Sequence, residues 1–212
     1  MGSGPMRLLR GQEPVLVKEK LSDTKTDSVC GILESDKLPT ESAIATIASE
    51  CNVQPAKITL GIAPSTSIAG SIQIVSRSIE TAMHKLYELE FDVTSIVSAT
   101  GSAPLPPPAQ PGETILGIGR TNDAMLYGAN VSMWVDCADE KVESILDQIP
   151  SSASPDHGRP FARIFADYNH DFYQVDPSLF SPAVVAIHNL RTGRTFAAGR
   201  IVTDVLRESF GT

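Results

Sequence analysis

Between Gly101 and Gly112 five of twelve residues are proline, a harder restriction on the possible folds than any other stretch of this chain. Each proline fixes φ and removes a backbone donor, so the segment is stiff and extended, not helical. To its N-terminal side the apolar pattern alternates between strand-like and helix-like runs. Residues 15–17 and 28–33 read as strands, separated by a polar turn at 22–27. Thr40 caps a helix whose apolar stripe is Ile44, Ile47, Ala48 and Cys51. Residues 58–62 form a short buried-type strand. The turn 64–67 then enters the longest helix, about residues 68–89, and 96–99 read as another strand. Beyond the prolines, 114–120 and 122–128 are ambiguous. Residues 131–135 are strand-like, 141–149 helical in period, and 160–168 a short helix after a Ser/Pro loop. A hairpin follows, 184–189 and 195–198 about a turn at 191–194, and a last helix spans 203–210. The order is that of an α+β or mixed α/β fold, with a mixed sheet and a long central helix.

Length and charge narrow the function. A chain of 212 residues, 42% hydrophobic and 20% charged, can bury a core and is no disordered polyelectrolyte. Its net charge of −8 and pI near 5.0 argue against nucleic acid as a partner. No apolar run approaches the roughly 18 residues that span a bilayer, and the opening lacks the plan of a signal peptide. Cys30, Cys51 and Cys137 are widely spaced and odd in number, which predicts free thiols in a reducing cytoplasm. The four histidines show no ligand spacing, so no metal is expected.

The long helix carries chemistry. At about 100° per residue, Ile68, Ile72, Val75, Ile79, Ala82, Met83 and Leu86 share an apolar face, while Gln73, Arg77, Glu80 and His84 fall within an arc of about 60° elsewhere. One reading is a solvated face with an i,i+3 ion pair worth about 0.3 kcal/mol. The other makes Glu80 a general base beside a charge-setting Arg77, because a tuned carboxylate within hydrogen-bond reach can activate water.

The residues around this helix favour the second reading. Ser65 to Ile74, running on through Arg77-Ser78-Ile79-Glu80-Thr81-Ala82-Met83-His84-Lys85, together with Thr121-Asn122-Asp123-Ala124-Met125-Leu126-Tyr127-Gly128, resembles the methenyltetrahydromethanopterin cyclohydrolase family. Gly2-Ser3-Gly4-Pro5, Glu34 to Pro39, Gly158-Arg159-Pro160-Phe161, Asp171-Phe172-Tyr173, Phe180-Ser181-Pro182 and the closing Ser209-Phe210-Gly211 extend the likeness over nearly the whole chain, in order.

The resemblance implies hydrolysis of the methenyl bridge of a tetrahydromethanopterin one-carbon carrier to the N5-formyl form, without metal or organic cofactor. Arg77 and Glu80 match the family's catalytic pair, Glu80 as base and Arg77 as its orienting cation. Gln73, Thr121, Asn122, Asp123, Ser3 and Ser209 are candidate pterin contacts, although Thr121 to Asp123 fit a turn or helix cap equally well. A homo-oligomer, a trimer in the family, is implied as well. Against the family pattern the chain opens at the Gly-Ser-Gly-Pro motif. One domain of a two-domain architecture is therefore expected over 1–212, with 183–212 belonging to the other domain's sheet and a separate N-terminal half as a possible partner. The alternative function is an inactive pterin-binding or scaffold homologue. Glu90 stands where the family tends to have Gly, a position suited to a left-handed helix cap. Two rival motifs fail: the Ser-x-x-Lys at 22–25 lacks its companion motifs, and Gly117-Ile118-Gly119 lacks the third glycine of a dinucleotide loop.

Overall fold

A computed structural model describes residues 2–211 except Ser22, Thr24 and Lys25, so the expected turn at 22–27 and the Ser-x-x-Lys match lie partly outside the described residues. The chain forms two compact units, the first ending at Gly70 and the second starting at Ser71.

In the first unit, β1 (Gly2–Ser3) is followed by α1 (Pro5–Arg10), α2 (Pro14–Lys18), β2 (Val29–Glu34), α3 (Glu41–Glu50) and β3 (Ile58–Ala63). β1 pairs antiparallel with β2, and β2 parallel with β3 through the α3 crossover. α3 starts where expected, because the Thr40 hydroxyl accepts the Ala43 N–H and meets one of the donors a helix N-terminus leaves over. Met6, Val29 and Cys51 form a small core with Leu33, Ile47, Ile58 and Leu60 packed on it. Residues 15–17 are not a strand. Pro14 occupies the first position of α2 after an extended Glu13, and the Val15 carbonyl closes the turn by accepting the Glu19 N–H. Three consecutive apolar residues suit either period; the proline at N1 decides.

α4 (Ile68–Val75) contains the boundary, and the second unit continues with α5 (Ser78–Glu88), β4 (Ile96–Ser102), α6 (Thr114–Gly128), β5 (Asn130–Val135), α7 (Asp139–Glu143), α8 (Phe161–Asp167), β6 (Val184–Asn189), β7 (Thr195–Gly199) and α9 (Thr203–Phe210). β4 to β7 form one sheet in chain order, antiparallel, parallel, antiparallel. β5 and β6 alternate strictly, so Val131, Met133, Val135, Val185 and Ile187 point to one side and pack with Ala82 and Leu86 of α5 and Val142 of α7. A second core joins Leu126 and Tyr127 of α6, Phe161, Ile164 and Phe165 of α8, and Val205 of α9. The proline-rich segment begins in the last two residues of β4 and from 103 to 110 runs without regular structure, and Arg120 of α6 donates to the carbonyls of Pro107 and Pro108.

The expected long helix is two helices. The Arg77 N–H reaches back to Ile74, one residue short of the helical partner, and Arg77 stands at φ −93°, ψ 20° as the N-cap of α5. Serines flank the break at 76 and 78, and serine is one of the residue types that favour helix ends over helix interiors. Ile68 and Ile72, of the expected apolar face, are about half exposed, at 58% and 48%. α5 ends in a Schellman motif: Phe91 N–H bonds to the Leu86 carbonyl and Glu90 N–H to Tyr87, with Glu90 itself at φ 60°. The left-handed cap expected at Glu90 is therefore present, occupied by a residue with a Cβ.

Candidate active site

The break between α4 and α5 makes the site. Because Arg77 sits outside the regular turn, its side chain folds back along the first turn of α5 and meets Glu80. Nε and Nη2 of Arg77 donate to the two carboxylate oxygens of Glu80, both at 2.9 Å. This is a two-pronged pair of the kind only a planar guanidinium makes. The Arg77 side chain keeps 34% of its exposure and that of Glu80 keeps 56%, so water reaches the carboxylate. Each carboxylate oxygen of Glu80 thus accepts from one nitrogen of the guanidinium, and each can accept more than one hydrogen bond. An exposed i,i+3 pair adds at most a few tenths of a kcal/mol to the fold.

The break divides the four-residue arc between two helices. Gln73, half-buried, lies on α4, while Glu80 and His84 lie on α5. His84 turns away from the pair toward Glu88, with Nδ1 3.4 Å from Oε1.

Thr121, Asn122 and Asp123 stand in the middle of α6, neither a turn nor a cap of that helix. Thr121 is buried, and its hydroxyl bonds to the Gly117 and Ile118 carbonyls; the Asn122 amide donates to Ile118. Asp123 is fully buried, and its Oδ1 accepts the Phe161 N–H at 2.7 Å, meeting a donor at the start of α8. Its Oδ2 has no hydrogen-bond partner of ordinary geometry, although the Ser209 hydroxyl is close enough to pull on the carboxylate. Burial pushes this carboxyl up to about 7, outweighing the lowering effects of Ser209 and the Phe161 amide. Ser209 lies near the end of α9, nearly buried, and its carbonyl takes Nε of Arg120. Ser3 belongs to the first unit, where it pairs with Ile32 in the sheet. The structure thus brings Arg77 to Glu80 and Asp123 to Ser209, and gives the two pairs different surroundings.

One buried ion on α5 escaped the sequence reading. Lys85 is 3% exposed and donates from Nζ to the Ser178 carbonyl at 3.1 Å; desolvation lowers its pKa. Its place between Ala82 and Leu86, both fully buried, was the available signal.

Two hollows of about 220 and 410 Å³ are lined wholly by first-unit residues and include neither Arg77 nor Glu80. In the larger, Arg7 pairs with Glu13 at 2.6 Å and Arg10 with Glu50 at 3.1 Å, so these charges are already met within the protein. Among the described residues no three His, Cys, Asp or Glu are grouped to hold a metal ion. No helix among them is long and apolar enough to cross a membrane. Burial raises the thiols of Cys51 and Cys137, while Cys30 is exposed.

A sequence profile of the Cyclohydrolase (MCH) family matches residues 1–210. The chain is 61% identical to the methenyltetrahydromethanopterin cyclohydrolase of Rhodopirellula baltica, over 100% of this chain and 64% of that protein. Proteins of the same name from Methylobacillus flagellatus and Methanocella arvoryzae are each 42% identical, over 100% of this chain and 64% and 65% of theirs. The chain spans just under two thirds of the length of these curated relatives.

Proposed function

The chain belongs to the cyclohydrolase (MCH) family, and from that premise we propose that it hydrolyses the methenyl bridge of an N5,N10-methenyltetrahydromethanopterin carrier to the N5-formyl form. The observation that carries the reading is the bidentate Arg77–Glu80 pair, held at a helix break with its carboxylate open to water. The methenyl carbon is already cationic, so the enzyme's task is to place a water and take its proton. Glu80 accepts one proton as the water oxygen bonds to that carbon. The resulting hydroxyl loses its proton as the bond from carbon to N10 breaks, N10 gains a proton, and one proton is released overall. Arg77 holds both oxygens of Glu80 through two parallel hydrogen bonds and so orients the carboxylate. The reading includes no metal or organic cofactor, because the carbon under attack already carries the positive charge a Lewis acid would otherwise induce.

Gln73 is the further substrate contact we favour, on the adjoining helix. Asn122 and Ser3 are retained as candidate pterin contacts. Thr121, Asp123 and Ser209 are so enclosed that as substrate contacts they would have to open first. The working form we infer is a cytoplasmic homo-oligomer, a trimer by likeness to the family, which sedimentation would test directly. For the reaction itself the test is the loss of methenyl-pterin absorbance on adding the protein, beside Glu80→Gln. Turnover that persists undiminished in that variant would remove Glu80 from the role of base.

A further inference from the structure

The first turn of α5, which carries the reacting pair, seats against β4 at Gly101. A Cβ built on Gly101 would lie 2.5 Å from Oγ of Ser78, 3.1 Å from Cγ1 of Ile79 and 3.4 Å from Cγ2 of Val131. Its φ is not in the left-handed region, so glycine is required here by close approach and not by backbone conformation. Neither wall of the contact retreats easily. Gly101 pairs with Val131 across the sheet, and Val131 is fully buried. On the helix side Ser78 is 3% exposed, Ala82 and Leu86 are fully buried, and Lys85 ties the far end to Ser178. The yielding point of α5 is its N-terminal end, where the ladder is already interrupted at Arg77.

We infer that Gly101 is a positioning residue: the absence of a side chain there lets Ser78 seat on β4, and that seating sets where the Arg77–Glu80 pair stands. The inference rests on the proposed reaction only for its catalytic consequence; the placement of the pair is a separate, directly measurable claim. To return Ser78 Oγ from 2.5 Å to an ordinary contact of 3.4 Å, the first turn or the serine must give by about 0.9 Å. A displacement near 1 Å in a reacting group lowers turnover by about 10²-fold.

The test pairs Gly101→Ala with the relieving double variant Gly101→Ala/Ser78→Ala in ¹⁵N-labelled protein. Two quantities are read: the Arg77 Nε–Hε resonance, and kcat and KM with methenyl-pterin. The expected result is a displaced Arg77 resonance in Gly101→Ala and a kcat lower by roughly 10²-fold with KM changed by less than about threefold. In the double variant both return most of the way. An Arg77 resonance unmoved in a folded Gly101→Ala protein overturns the inference, as does a moved resonance that the double variant fails to restore. If Gly101→Ala alone does not fold, the double variant decides the matter, since the 3.1 Å contact to Ile79 still predicts a smaller shift of the same resonance; no shift overturns the inference. Wild-type protein without turnover, together with a resonance that moves with residue 101, would reject the proposed reaction and leave the positioning intact.

Discussion

Two acidic residues of the second unit, Glu80 and Asp123, look alike in the sequence as members of family-like motifs, and the fold treats them in opposite ways. Glu80 is half exposed, and both its oxygens accept from one guanidinium. Asp123 is sealed among α6, α8 and α9, one oxygen accepting the Phe161 N–H and the other without a partner of ordinary geometry. The first arrangement maintains an accessible charge at little cost to the fold. The second buries a carboxyl where charge is unwelcome, and burial pushes it up to about 7. A carboxylate can serve a reaction or serve the packing, and accessibility to water separates the two.

That contrast is broken most directly at Glu80. Glu80→Gln should lower kcat by about 10²- to 10⁴-fold, the range a general base supplies, while the melting midpoint stays within about 2 °C of wild type, because an exposed pair adds little stability. Steady-state kinetics and a thermal melt on one preparation check both halves. A large fall in melting point would show that Glu80 belongs with Asp123 after all.

Asp123→Asn comes next and should behave inversely. The native carboxyl sits near 7 in the fold against an ordinary 3.8, so the folded protein holds the extra proton. Its stabilising contribution is therefore fully present below about pH 4 and is lost as the pH rises toward 7. Three pH units correspond to at most about 4 kcal/mol. Asparagine keeps the acceptor for the Phe161 N–H and mimics the neutral acid. The variant should match wild type near pH 4 and melt roughly 5–10 °C higher at pH 8. Melts of both proteins across that range check the sign; equal pH dependence would show that Asp123 is not the titrating group.

A smaller effect is expected at Arg77. Arg77→Lys keeps the charge but replaces two fixed donors by a single mobile ammonium, and kcat should fall about tenfold with stability unchanged. Kinetics alongside Glu80→Gln would show whether orientation or charge is the guanidinium's contribution. A rate equal to wild type would mean charge alone suffices.

How far this contrast could be read beforehand depends on how local its causes are. The Thr40 cap, the hairpin about residues 191–194 and the helix Thr203–Phe210 were legible, because each is fixed by a few neighbouring residues. The pair Arg77 and Glu80 was legible from its spacing, and the break between them and Gln73 was not, since apolar period 3.6 runs on through Ser76 and Arg77. α6 was ambiguous because Gly117 and Gly119 weaken a helix locally. Its reason is tertiary: a Cβ on Gly119 would come within 2.8 Å of the Ala162 Cβ on α8. The same contact between helices encloses Asp123, so its structural role could not be read from residues 121–123 alone. A polar residue on the hidden side of a helix has the same letter as one on the open side.

Ser209 gives the mildest test and the one that divides substrate contact from packing most finely. The sequence offered it as a pterin contact, and the fold sets its hydroxyl beside Asp123, where it pulls that carboxyl downward. Ser209→Ala removes the pull, so the carboxyl should titrate at higher pH than in wild type. The pH window over which stability is lost should extend upward accordingly. The loss of one modest interaction is worth about 1 kcal/mol or less. If Ser209 acts only there, KM for methenyl-pterin stays at the wild-type value while the stability profile moves. If it reaches the substrate, KM rises and the profile keeps its wild-type midpoint. A rise in KM would place the end of α9 with Glu80, on the side of the molecule's chemistry that faces water.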